Sequence, residues 1–90
     1  MSLGILRAIA ERRPHEWLVL ICMDKNVETY RKFLGNSFPG LPFSGRTLTF
    51  PDGGRVSVAA QSDPMFVPDG TPFTTELLEW DPATKTQWKV

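Results

Sequence analysis

The rhythm of apolar and polar positions changes along this chain, and each change marks an element. Trp17 to Met23 (Trp-Leu-Val-Leu-Ile-Cys-Met) carries no polar side chain and gives way at once to Asp24, Lys25 and Asn26. A half-exposed strand alternates, so an unbroken run this short predicts a central strand covered on both faces. Upstream, Ser2 to Arg13 spaces Leu3, Leu6, Ile9 and Ala10 for one face of a helix. Ser2 is its candidate N-cap and Pro14-His15 its stop. Arg7, Glu11 and Arg12 fall away from that stripe, and Arg7 with Glu11 forms a weak i,i+4 pair. Downstream, Asp24 to Gly35 predicts a second helix, capped by Asn26 or Asp24, with Val27, Tyr30, Phe33 and Leu34 on one face. Gly35 and Asn36 suit a left-handed stop, and Arg31 and Lys32 sit in the last turn, where the helix dipole favours positive charge.

The second half is punctuated by turns. Asn36 to Gly45 reads as a loop by its prolines and glycines, yet it carries Phe38, Leu41 and Phe43, which either tuck under the core or form an exposed patch. Arg46 to Phe50 and Arg55 to Ala60 flank Pro51-Asp52-Gly53-Gly54, a hairpin whose glycines supply positive φ. Its apolar side is Leu48, Phe50, Val56, Val58 and Ala60. Gln61 to Pro72 is irregular, with room for a brief edge strand at Met65, Phe66 and Val67. Asp81 to Thr86 resembles the turn of a hairpin in the immunoglobulin-binding domain of protein G. That likeness implies geometry alone, with Trp80 opposite Gln87, Glu79 opposite Trp88 and Leu77 opposite Val90. The competing reading makes Thr71 an N-cap and Phe73 to Trp80 a short helix.

The elements together predict an α+β fold in one domain over residues 1–90. Two helices pack on a mainly antiparallel sheet, with 17–23 as its central strand and hairpins at 46–60 and 76–90. Ninety residues are too few for two cores. Hydrophobic content of 41% with 22% charged residues is ordinary for a folded domain. Ten basic and ten acidic side chains cancel, which argues against a protein whose main task is to neutralise a phosphate backbone. The halves differ, however. Residues 1–46 carry seven Lys or Arg against four Asp or Glu, a net +3, and residues 47–90 carry three against six, a net −3. The lone Cys22 lies inside the apolar run, which fits a small buried hydrophobe in a reducing compartment. No stretch approaches a membrane span or a signal peptide, so the expectation is a cytoplasmic protein with no membrane partner.

Catalytic chemistry finds little to use. His15 is the single histidine and follows a proline, so a triad, a Cys-His pair or a zinc set would rest on it alone. None of the seven glycines is spaced as a phosphate loop or a dinucleotide fingerprint. Asp52, Asp63 and Asp69 neighbour proline or glycine, where aspartate serves as a turn former, and the ligand alternation of a calcium loop is missing. The chain therefore reads as a non-enzyme with no cofactor and no metal.

Leu18 to Met23, the helix Val27-Glu-Thr-Tyr-Arg-Lys-Phe-Leu and the hairpin Thr47-Leu-Thr-Phe-Pro-Asp-Gly-Gly-Arg-Val-Ser-Val, ending at Asp63-Pro64, carry a family likeness. They resemble the strand, helix and hairpin that follow the phosphate loop in phage terminase large-subunit ATPases. The likeness covers about half of the chain and includes none of that family's nucleotide-binding residues, so it implies no ATPase activity. It implies a phage or mobile-element origin, where small free-standing proteins act by binding a host or viral partner. The expected function is accordingly that of a non-catalytic protein-binding module, an accessory protein or inhibitor. Trp88, Trp80, Phe38 and Phe43 are its candidate anchors, because large aromatic side chains dominate contact energies. The alternative is nucleic-acid association through the basic first half, using Arg7, Arg12, Arg13, Lys25, Arg31 and Lys32.

Overall fold

The computed structural model describes residues 2–62 and 73–83, with side chains from Gly4 onward. Two helices, α1 (Ser2–Glu11) and α2 (Val27–Ser37), accompany five strands: β1 (Trp17–Cys22), β2 (Phe43–Ser44), β3 (Thr47–Thr49), β4 (Arg55–Ala60) and β5 (Phe73–Leu77). They form a single sheet in the order β2-β3-β4-β1-β5. The two-helix α+β architecture matches the expectation, while the strand expected at 17–23 covers Trp17–Cys22 and is an interior strand between β4 and β5, with β4 at the middle of the order. All six residues of β1 are buried. Leu18, Leu20 and Cys22 face the helices, together with Val56, Val58 and Ala60 of β4 and with Ile5, Ile9, Val27, Tyr30 and Leu34. Trp17, Val19, Ile21 and Ala59 are buried on the opposite face.

The expected strand directions need correction, because the sheet is mixed rather than mainly antiparallel. β1 runs parallel to β4 on one side (Leu18↔Val56, Leu20↔Val58) and to β5 on the other (Trp17↔Phe73, Ile21↔Leu77). Among the described residues, antiparallel pairing is confined to β2–β3 and β3–β4. Parallel strands buried on both faces carry unbroken apolar runs, which accounts for the composition of β1. The predicted hairpin is β3–β4, with Leu48 opposite Val56. Phe73 to Leu77 is a strand, which overturns the short-helix reading of 73–80. The return arm of the expected 76–90 hairpin and the edge strand at 65–67 lie outside the described residues.

The helices also depart from the sequence reading in detail. α1 turns Ile5, Ala8 and Ile9 inward, not Leu6 and Ala10, which are exposed. The i, i+3, i+4, i+7 series from Ile5 then places Arg12 on the buried side. α2 continues past Gly35 and Asn36 to Ser37, and Phe38 N donates to Leu34 O to close its last turn. Phe38 packs edge-on against Phe50 at 5.3 Å between ring centroids, so the chain gains a packed aromatic by running on. Asn26 occupies the N-cap position of α2, but its side chain makes no cap bond and turns instead to Glu79. Of the two glycines at the hairpin tip only Gly53 has positive φ, at 85°.

Candidate interaction surface

Among the described residues β5 is the edge strand of the sheet, and its ladder to β1 fixes which way each backbone group points. Leu78 N donates to Ile21 O at 2.8 Å while Ile21 pairs with Leu77, so Ile21 bonds the residues on either side of Leu77. In a parallel ladder such groups alternate along the strand. Thr74, Glu76 and Leu78 therefore turn their N–H and C=O toward β1, and Phe73, Thr75 and Leu77 turn theirs outward. None of those outward groups has a partner among the described residues. Side chains alternate across the sheet at the same time, placing Phe73, Thr75 and Leu77 on the Trp17 face and Thr74 and Glu76 on the helix face.

The large apolar groups that remain exposed gather here. Among the described residues they are Phe73 (40% exposed), Leu77 (51%), Trp80 (38%) and, on α1, Leu6 (37%). Three of the four lie on β5 or just beyond it. An edge strand that carries both unpaired backbone groups and apolar side chains is a template for another strand.

β5 and the segment after it are held firmly to the rest of the domain. Thr74 donates its hydroxyl to Glu16, and that bond lowers the Glu16 pKa. Past β5, Asn26 Nδ2 donates 2.9 Å bonds to both carboxylate oxygens of Glu79, and Met23 N donates to one of them. The buried Gln61 locks to the main chain of Asp81, donating from Nε2 to its O at 2.7 Å and accepting from its N at 2.9 Å. Asp24 accepts the Ser62 hydroxyl and backbone N–H, which hold its carboxyl below the usual range. These contacts gather the chain after β1, β4 and β5 around an open crevice of about 310 Å³ lined by Met23, Asp24, Lys25, Gln61 and Asp81. Cys22, at the end of β1 just before Met23, is fully buried. Burial, then the charges of Glu79 and Asp24, push its thiol up to about 11, so it is a poor nucleophile at neutral pH.

At the other end of β1, Arg12 clamps α1 to the hairpin. Its side chain is only 7% exposed and its Nη2 donates to Asp52 Oδ2 at 3.0 Å. The guanidinium carbon lies 4.2 Å from the Phe50 ring centroid. A Cβ on Gly54 would come within 3.0 Å of that carbon, so a larger residue there would push the Arg12 guanidinium aside. Asp52 also accepts Gly54 N at 2.7 Å, and that bond, followed by Arg12, lowers its pKa. Asp52, Glu16 and Asp24 are therefore all more acidic folded than unfolded. Their stabilisation is complete at neutral pH, declines below about pH 4, and is lost as pH falls through the folded values. Thermal melts from pH 7 to pH 2 are expected to show the midpoint falling across that acid window. Asp52→Asn should melt lower at neutral pH and lose less on acidification, and parallel curves for the two proteins would contradict the assignment.

The candidate anchors are scattered. Trp80 joins the exposed group beside β5, whereas Phe38 and Phe43 are half-buried against the core margin, and Trp88 lies outside the described residues. Leu41 is half-buried as well. Phe73 and Leu77 are contact candidates that the sequence reading missed; their signal is two apolar residues spaced by four in a strand bordered by polar ones. The basic residues do not converge either. Arg7 pairs with Glu11 at 3.7 Å, Arg12 is buried on Asp52, and Arg31 contacts Glu28 at 3.3 Å and donates to Gly45 O at 2.7 Å. Arg13 lies before β1 and Lys25 after it, at opposite ends of the sheet, and Lys32 is exposed on α2. Asp63 and Asp69 lie outside the described residues. Among those described, no three His, Cys, Asp or Glu side chains group as a metal site requires, and no helix is long and apolar enough to cross a membrane. Comparison with protein-family models, curated proteins and solved structures finds no match to this chain.

Proposed function

We propose that this chain is a non-catalytic protein-binding module whose contact edge is β5. The observation that carries this reading is the coincidence, on one strand, of outward N–H and C=O groups with the exposed Phe73 and Leu77 side chains, beside Trp80. Strand addition supplies affinity through the main chain and selectivity through alternate side chains, and β5 offers both. The likeness to the terminase segment suggests the setting, a phage or mobile-element accessory protein or inhibitor acting on a host or viral protein. The nucleic-acid alternative draws less support, because half of its six residues already meet carboxylates and the rest are dispersed.

Immobilised wild-type, Leu77→Asp and Trp80→Ala chains incubated with the same host extract provide the test. A protein retained by the wild type and lost from Leu77→Asp, with Trp80→Ala weakened, is the expected result. Equal retention by all three, or no retention by any together with no self-assembly of the chain through β5, would overturn the reading. A mobility-shift titration in about 50 mM salt is expected to show no binding of duplex or single-stranded DNA; salt-sensitive binding there would favour the alternative.

A further inference from the structure

We infer that the occupant of the β5 edge is β5 of a second copy of this chain, antiparallel and centred on Thr75, in a two-fold dimer; this rests on the edge-binding reading above. A two-fold interface places the same patch on both subunits, so the strand must complement its own reverse. β5 does so in one register. With Thr75 opposite Thr75, Phe73 meets Leu77 of the second copy and Leu77 meets Phe73. All three pairings involve the outward-pointing residues, so each exchanges two bonds and every outward N–H and C=O of Phe73, Thr75 and Leu77 is satisfied.

Side chains agree with that register. On the Trp17 face the exposed Phe73 and Leu77 form two apolar cross-strand pairs around the threonines. On the helix face Glu76 stands opposite Thr74, a hydroxyl donor. Centring the pairing on Glu76 would set two carboxylates directly against each other, and centring it on Thr74 or Glu76 leaves outward groups of β5 unpaired. Joining two short strands and their flanking side chains buries less than the roughly 1,200 Å² that marks the low end of stable complexes. The dimer should therefore dissociate in the micromolar range or above.

Sedimentation velocity on the full chain from about 10 µM to about 1 mM, the range such an interface occupies, tests this directly. The wild type should shift from monomer to dimer as concentration rises. Thr75→Pro removes an outward N–H and leaves the β1 ladder intact, because that ladder uses Thr74, Glu76 and Leu78; proline is tolerated on edge strands. It should stay monomeric at every concentration. Thr75→Cys provides a measurement that does not depend on the proline variant folding. Paired Cα atoms about 5.5 Å apart in a hydrogen-bonded antiparallel pair fall within disulfide range. With oxidised glutathione as oxidant it should become a disulfide-linked dimer many-fold faster than Thr29→Cys, whose thiol would be exposed on α2.

A wild type that remains monomeric throughout, or Thr75→Cys linking no faster than Thr29→Cys, would overturn self-pairing. If that happens while Leu77→Asp still abolishes retention of a partner, the edge-binding reading stands and only the identity of its occupant falls. If neither assembly nor retention responds to changes in β5, both fall.

Discussion

Trp17→Ala is expected to lower the unfolding free energy by about 3–5 kcal/mol, the usual range for truncating a buried Trp. Trp17 is buried on the sheet face away from the helices. Its Nε1 donates to Ser57 Oγ at 2.8 Å, and Ser57, itself buried, lies 2.8 Å from Thr47 Oγ1. The Arg55 guanidinium stands 5.0 Å from the indole centroid. Alanine would leave a cavity and take from the hydroxyl pair its fixed donor. A domain of this size has about 5–13 kcal/mol in total, so the loss is a large fraction of stability. Trp17→Phe retains most of the ring but not the donor, and should lose about 1–3 kcal/mol. Urea unfolding followed by far-ultraviolet circular dichroism separates these effects from fluorescence changes. Equal midpoints for wild type and Trp17→Ala would refute the placement of the indole.

Leu20→Ala should cost about 2–5 kcal/mol, whereas Leu77→Ala should cost about 1 kcal/mol or less. The two leucines belong to adjacent strands but differ in surroundings. Leu20 is fully buried between Val58 of β4 and Glu76 of β5, beneath the helices, and its removal leaves a void among residues that do not collapse freely. Leu77 is half exposed at the sheet edge and can be truncated into water. Parallel urea titrations should give similar m-values and well-separated midpoints. Comparable losses at the two positions would mean that Leu77 is core, and would remove it from the contact edge.

Elements declared by local chemistry are legible in the amino-acid sequence. The β1 run, the Pro51-Asp52-Gly53-Gly54 hairpin tip and the Val27, Tyr30, Leu34 stripe depend on neighbours a few residues away. The parallel direction of β4 and β5 is not legible, because Trp17 meets Arg55 and Phe73 through pairings that span much of the chain and leave no turn signal. Hairpins are visible in sequence and crossovers are not, which biases the expectation toward an antiparallel sheet. Arg12 illustrates the same limit. Its charge argues for solvent, while Ile5, Ala8 and Ile9 argue for burial, and the outcome turns on Asp52 and Phe50 arriving from a distant hairpin.

The contact surface is partly legible. Trp80 can be singled out as a large aromatic beside polar residues, and its exposure follows from its place beyond β5. Phe38 and Phe43 carry equal aromatic weight in the sequence, yet both pack against the core because α2 runs on to Ser37 and Phe43 pairs with Leu48. Which backbone groups of β5 face outward depends on its register with β1, and no local pattern contains that information.

By itself, the sequence determined that the run beginning at Trp17 is a buried interior strand of a small α+β domain, since successive apolar side chains can be removed from water only with both faces covered. Tertiary structure alone decided that this strand runs parallel to both neighbours and that, among the described residues, β5 forms the sheet's edge beside it. Strand order and direction are set by which distant segments satisfy the backbone and the core together, and that choice also leaves Phe73, Thr75 and Leu77 facing outward.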